Sequence, residues 1–176
     1  MTNPAPEFSR PVRADQIARH AQGVTITADA SEREALARRF NLISLDLLEA
    51  HYALSEQDGA IEARGRVRAK LAQPCVATGV AVPETIDTDF MLRFVAEGES
   101  PDGEEELEID SEDCDTIGFD GQTIDMGEAV AETMALAMTP YPRSRDADAY
   151  LREAGVLTEE QASPFAVLQS LKDKKP

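Results

Sequence analysis

The sequence is poor in the residues that most often carry covalent structure or catalysis. It contains two cysteines, two histidines and no tryptophan. Cys75 and Cys114 are too few for a disulfide framework and lack the paired spacing of a zinc site, so we expect two reduced thiols, no metal and no other cofactor. His20 and His51 offer little scope for a catalytic base. Because no nucleophile elbow or phosphate loop is present either, the sequence predicts a protein that is not an enzyme.

Long apolar runs are also missing. No stretch approaches the roughly 18 apolar residues that a membrane helix requires. The beginning of the chain, "MTNPAPEFSRPVRAD", lacks the basic and then apolar regions of an export signal. We therefore expect a cytoplasmic protein with no membrane partner. Its 176 residues predict a single domain over 1–176.

Cations are scarce, and the acids are unevenly placed. The chain has 17 Lys and Arg against 34 Asp and Glu, a formal net charge of −17. Glu97 to Asp120 contains twelve acids and no cation, and without them the net charge is −5. Such a tract repels itself and buries little apolar surface, which predicts a mobile acidic loop at about 97–106. The alternative is an acidic tether for a basic partner.

One stretch, "ARGRVRAKL" at 63–71, runs against the overall charge. Its strict period of two predicts a strand with an apolar face and a cationic face. One interpretation is contact with the phosphates of RNA or with an acidic partner. The other is an ordinary wet sheet face, neutralised by carboxylates such as Glu49, Asp46 or Glu84. The cations, which we call the cationic stripe, are Arg64, Arg66, Arg68 and Lys70.

Further periodicity in the first half of the chain predicts a sheet and one helix. "FSRPVRADQ" is interpreted as a short extended segment and "GVTITAD" as a strand, while Ser31 and Glu34 form a capping box for a helix over about 31–39. "NLISLDLLEAHYALS" favours a strand to about Leu54, with a helix as the competing interpretation. The turn "EQDGA" makes it a hairpin with the stripe strand. Two more strands are predicted at about 84–95 and 116–119.

The second half of the chain predicts two helices. The first helix, "TIDMGEAVAETMALAM", is predicted to begin with Asp125 as its N-cap, and the Glu128 side chain can accept a bond from the Asp125 N–H in return. The prolines of "TPYPRS" end this helix. Its predicted apolar stripe comprises Met126, Val130, Met134 and Ala137. A C-terminal helix or docking segment follows at about 163–172, with Phe165, Leu168 and Leu171 on one face. The fold class is therefore α+β, a mainly antiparallel sheet packed by two or three helices with a flexible acidic insertion.

A second basic cluster follows the long helix. Tyr141 stands beside Arg143 and Arg145, and prolines on both sides of the tyrosine predict that the segment is extended. These three residues are further candidates for binding RNA or an acidic partner. The stripe itself has no interleaved aromatic residues, which argues against base stacking there.

Four quoted features, in this order, resemble a known family. They are "QPCVATGVAVPETIDTDFMLRF", an acidic insertion, "IDMGEAVAETMALAMTPYPRS" and a terminal "SPFAVLQSLK". Together they resemble the YceD family of large ribosomal RNA subunit accumulation proteins, in its alphaproteobacterial form, from about Phe8 to Leu171. Many members carry further cysteines where this chain has Thr78 and the Pro-Arg segment, so no metal site carries over.

The resemblance implies a non-catalytic role in the accumulation or processing of large-subunit ribosomal RNA, and hence in ribosome assembly. The implied partners are that RNA or ribosome assembly intermediates, reached directly or through a basic protein. An alternative stays open, in which an acidic adaptor binds a basic ribosomal protein or nuclease without touching RNA.

Overall fold

A computed structural model describes residues 6–96 and 115–156. The chain divides into two compact units, one formed by Met1–Gln73 and Pro83–Pro140, the other by Pro74–Val82 and Tyr141–Pro176. The single domain expected over the whole chain stays a prediction. The acidic loop at 97–106 and the C-terminal segment at 163–172, with Phe165, Leu168 and Leu171, lie outside the described residues.

The α+β class with a mainly antiparallel sheet is confirmed. A five-stranded sheet has the order β2-β3-β4-β5-β6, with β2/β3 and β3/β4 antiparallel and β5/β6 parallel, and β1 pairs with β7 in a separate two-stranded sheet. No helix in the described part of the chain has the length and apolar composition needed to cross a membrane. The elements are β1 (Pro11–Arg13), a 3₁₀ helix (Ala14–His20), β2 (Val24–Thr27), α1 (Ala30–Arg39), β3 (Ser44–Gln57), β4 (Ala60–Pro74), β5 (Ala81–Ala96), β6 (Asp115–Phe119), β7 (Thr123–Asp125), α2 (Met126–Ala137) and α3 (Ala147–Glu153).

The long hairpin of β3 and β4 is the centre of the sheet. Its turn is Asp58-Gly59, and both residues have positive φ, 52° and 75°, as a two-residue hairpin turn with matching twist requires. The strands pair without interruption from Gln57↔Ala60 to Leu47↔Lys70, where a bulge follows. The predicted hairpin is thereby confirmed, and the helical alternative for the first strand is wrong.

The apolar core lies on one face of this sheet. Alternate residues of β4, among them Val67 and Ala69, are buried together with Leu48 and Tyr52 of β3. Met126, Val130 and Met134 of α2 belong to the same buried cluster, as the apolar spacing of the helix predicted. Ala137 is exposed, contrary to prediction, because it is the last residue of the helix.

Helices α1 and α2 both begin with a side-chain cap of the kind that the sequence predicts, but some of the residues that form it differ from the predicted ones. For α1, Asp29 and Glu32 form the capping box: the Asp29 side chain accepts from the Glu32 N–H at 2.9 Å, and the Glu32 side chain accepts from the Asp29 N–H at 2.8 Å. The prediction of Ser31 and Glu34 was therefore wrong by two residues. Asp125 caps α2 as predicted, but Glu128 bonds Arg39 instead of returning the bond.

Three short elements were not predicted from the sequence. The 3₁₀ helix at Ala14–His20 follows only three extended residues, so the predicted extended segment is right for Pro11–Arg13 alone. Strand β7 has three residues and forms only because β1, more than 100 positions earlier, pairs with it. Helix α3 has seven residues and no side-chain cap. None of these is long enough to show a period.

The N-terminal segment is held to α1 by an ion pair with a testable pH dependence. Arg10 Nη1 and Nη2 bond the two carboxylate oxygens of Glu32 at 2.7 and 2.9 Å. These bonds hold the pKa of Glu32 below its ordinary value. A lowered carboxylate pKa gives stability that is present above the unfolded pKa, near 4.5, and is lost as the pH falls through the folded pKa.

We expect Glu32→Gln to lower the free energy of unfolding by about 1–2 kcal/mol at pH 7, because it loses a bidentate charged contact that is partly shielded from water. The difference from wild type should shrink steadily below about pH 4.5. Urea titrations followed by circular dichroism at pH 7, 5 and 3.5 measure it. A difference that stays constant over this range would show that the capping geometry, and not the charge, is responsible.

Candidate nucleic-acid interface

The structure places the cationic stripe on the exposed face of β4. Arg64, Arg66, Arg68 and Lys70 are all exposed, and the residues between them are half-buried or buried. Across the hairpin these four cations are paired with Ala53, His51, Glu49 and Leu47, in that order. The predicted separation of β4 into an apolar and a cationic face is therefore confirmed.

Carboxylates meet three of the four stripe cations. Arg66 Nε lies 2.5 Å from Asp87 Oδ1, and Arg66 Nη1 lies 3.2 Å from Asp89 Oδ1. Arg68 lies 3.6 Å from Asp87 and 3.8 Å from Glu49, and Arg64 lies 3.0 Å from Glu62. Lys70 makes no ion pair with any residue that the structure describes. Three of the four cations thus contact four carboxylates, and Lys70 is the stripe cation without one among the described residues.

The sequence anticipated this neutralisation but named the wrong partners in two of three cases. Glu49 contacts Arg68 as predicted. Glu84 is occupied elsewhere, accepting from Gln73 and from the N–H and hydroxyl of Thr139. Asp46 is exposed and makes no ion pair within the described residues. The main neutralising residues are Asp87 and Asp89 of β5.

The central ion pair is fully ionised at neutral pH and open to water. The hydrogen bond from Arg66 holds the pKa of Asp87 below its usual value, and the bond to Asp87 raises the pKa of Arg66. The two side chains are 47% and 46% exposed. Exposed ion pairs contribute little to stability because water and salt screen them. An incoming phosphate can therefore exchange with the carboxylate on Arg66.

The second predicted basic cluster lies in the other compact unit. Tyr141 is 82% exposed and has φ of +57°, so it is left-handed and not extended as its flanking prolines predicted. Arg143 Nη2 lies 3.3 Å from Asp148 Oδ1, and Arg145 is exposed. An aromatic ring and two guanidinium groups thus face water in this unit. Their role in binding stays a prediction.

Cys75 has a property that sequence reasoning missed. It is buried, and its Sγ accepts the N–H of Ser144 at 3.2 Å. Hydrogen bonds from Ser144, and a weaker one from Thr78, lower the pKa of the thiol to about 6. Among residues 6–96 and 115–156, no group of three His, Cys, Asp or Glu side chains is placed to hold a metal ion. Cys114 lies outside the described residues.

Comparison with known proteins places the stripe inside a family region. The model of the YceD family, described as large ribosomal RNA subunit accumulation protein YceD, matches residues 63–172, which is more than half of the chain. The chain belongs to the YceD family. No curated protein and no solved structure matches it.

The YceD match begins at the first residue of the stretch that carries the stripe. It therefore includes all four cations and the opposing Asp87 and Asp89. It excludes the N-terminal segment, α1 and β3, including Glu49. The resemblance that the sequence suggested from about Phe8 is confirmed over residues 63–172.

Proposed function

We propose that this YceD family member is a non-catalytic factor that supports the accumulation or processing of large-subunit ribosomal RNA, and that it contacts this RNA through the cationic stripe. The family is named for accumulation of the large ribosomal RNA subunit and not for a reaction. With this role, the proposed partners are ribosomal RNA or ribosome assembly intermediates. The proposed location is the cytoplasm.

The observation that carries the proposal is the row of four exposed cations along one strand. Alternate residues of a strand are about 6.6–7 Å apart, close to the spacing of successive phosphates along a nucleic-acid strand. Each cation can therefore meet one phosphate of a single backbone. The carboxylates on Arg66 and Arg68 lower the affinity, and their exposure lets phosphate displace them.

Two sets of substitutions test the stripe in opposite directions. We expect Arg64→Gln, Arg66→Gln, Arg68→Gln and Lys70→Gln together to weaken binding to large-subunit RNA at least tenfold at low salt, and to reduce the salt slope by about three to four units. Asp87→Asn with Asp89→Asn should strengthen binding, because it frees Arg66 and Arg68. Filter binding or fluorescence anisotropy over a salt series measures both effects.

The matched control removes two negative charges away from the stripe. Glu56→Gln with Glu132→Gln changes the net charge as the aspartate pair does, but neither glutamate contacts a stripe cation. If local contacts with the stripe determine the affinity, this control should bind RNA within about twofold of the wild-type affinity. Equal gains from both pairs would point to net charge alone. Unchanged affinity and slope in the folded Gln variant would remove the stripe from the function.

A second function is favoured by the carboxylates that neutralise the stripe and by the net charge of −17. In this second function, the protein is an acidic adaptor that binds a basic ribosomal protein or nuclease without touching RNA. Deletion of residues 98–106 separates the two functions. A basic partner held by the acids would be lost, whereas direct RNA binding would strengthen.

A further inference from the structure

Among the residues that the structure describes, the edge of the main sheet is unpaired along part of β5. Strand β6 pairs only with Leu92–Ala96 of β5, beginning at Leu92↔Asp115. Within the described residues, no strand pairs with the preceding part of β5 on that side. Near the start of β5, the Glu84 side chain accepts bonds from the N–H and hydroxyl of Thr139, just after α2. Between this contact and the pairing with β6 lie residues 86–91, whose outward N–H and C=O groups favour pairing with another strand.

A groove of about 370 Å³ lies beside this open edge. Phe90, Met91 and Leu92 of β5 form one wall, and Thr133, Leu136 and Ala137 of α2 form the other. Leu136 is 80% exposed, an unusual position for a leucine that belongs to a core-packing helix. An extended chain that joined the edge would cover this side chain.

The charges at the groove select the occupant. Asp89 and Asp115 line it, and the Asp89 side chain is 78% exposed. Asp87 lies two residues before Asp89 on the same face of β5, and both carboxylates also contact Arg66, so a cation of the partner would share them with that arginine. An extended segment alternates its side chains between two faces. Apolar residues on one face would meet Leu136 and Phe90, and cations on the other would meet Asp87 and Asp89.

We propose that this groove binds an extended, basic segment of a partner protein, which adds a strand to the open edge of β5 and alternates apolar residues with Lys or Arg. Main-chain hydrogen bonds would give affinity, and the apolar and acidic walls would give selectivity. This inference rests on the proposed adaptor function, from which it takes the basic protein partner. It adds the surface to which that partner binds.

Charge disfavours the other occupants. Residues 97–114 of the same chain contain acids and no cation, so they offer no cation to Asp89 and Asp115. A second copy would bring an equally acidic edge from a chain of net charge −17. Nucleic acid is disfavoured in the groove because, unlike the stripe, the groove has two carboxylates and no Lys or Arg among its lining residues.

A labelled peptide of nine alternating lysines and valines tests the groove with the full-length protein. We expect it to bind by fluorescence anisotropy and to slow hydrogen exchange of backbone amides within residues 86–91. A peptide with glutamate in place of lysine should not bind. Leu136→Lys and Asp89→Lys should each weaken binding at least tenfold, because they place a cation beside the cationic peptide. Ile43→Lys, a change at another exposed apolar residue of the same unit, should stay within twofold.

Several results would overturn the inference. They are absence of binding, equal binding of the glutamate peptide, unchanged affinity in Leu136→Lys, or no exchange protection in β5. Binding seen only after residues 97–114 are deleted would show that the chain covers its own groove. If exchange protection of residues 86–91 increases with protein concentration when no peptide is present, the edge pairs with a second copy of the chain. If the peptide fails while a basic protein still depends on residues 98–106, the adaptor function survives and the groove does not.

Discussion

Gly127→Ala should destabilise the protein by about 2–4 kcal/mol, although alanine is the better helix former. The added Cβ would collide with the carbonyl oxygen of Phe8 and would lie 2.9 Å from the Arg10 nitrogen. Both are backbone atoms, so no side chain can rotate away. The segment would have to move and strain its bond from the Arg10 N–H to Asp125 Oδ1, now 2.7 Å. Overpacking and a weakened, partly buried hydrogen bond outweigh the roughly 1 kcal/mol by which alanine favours a helix over glycine.

Urea unfolding followed by circular dichroism measures this effect, since the chain has no tryptophan to report by fluorescence. Glu132→Ala is the matched control, because it introduces alanine at an exposed position of the same helix and should change stability by no more than about 0.5 kcal/mol. A Gly127→Ala protein as stable as wild type would mean that residues 8–10 do not pack on α2 as described.

The close approach at Gly127 illustrates what a sequence cannot supply. The periods of β4 and α2 are local patterns, and they correctly predicted the buried faces of both elements except at Ala137. The contact of Gly127 with Phe8 joins positions more than 100 residues apart. Nothing near either residue predicts it. The pairing of β1 with β7 has the same long-range origin.

The candidate interface was half predictable for a related reason. The four cations followed from the alternation in "ARGRVRAKL", but their partners depend on which strand lies beside β4 and in which register. A signal for Asp87 and Asp89 was present in "TIDTDF", where the acids alternate with buried Ile86 and partly buried Phe90. Reading two complementary alternating strands as neighbours would have found these carboxylates. The lowered pKa of the Cys75 thiol had no such signal, since it depends on Ser144.

The second large effect is expected at the start of α2, where Asp125→Ala should cost about 3 kcal/mol. One oxygen, Asp125 Oδ1, accepts the N–H groups of Arg10, Gly127 and Glu128 at 2.7, 3.0 and 3.2 Å. The other accepts the Ser9 hydroxyl at 2.5 Å. Alanine removes a helix cap and leaves several partly buried donors without an acceptor. Denaturant unfolding at pH 7 should show a lower midpoint with an unchanged slope.

Asp125→Asn separates geometry from charge at this position. Asparagine keeps one oxygen where three backbone N–H groups converge, and its amide can donate to the Ser9 hydroxyl, which then acts as acceptor. We therefore expect Asp125→Asn to lose less than half of what Asp125→Ala loses. Equal losses in the two variants would mean that the negative charge at the helix start dominates. In that case, raising the salt concentration should narrow the gap between wild type and Asp125→Asn, because screening acts on charge and leaves neutral hydrogen bonds in place.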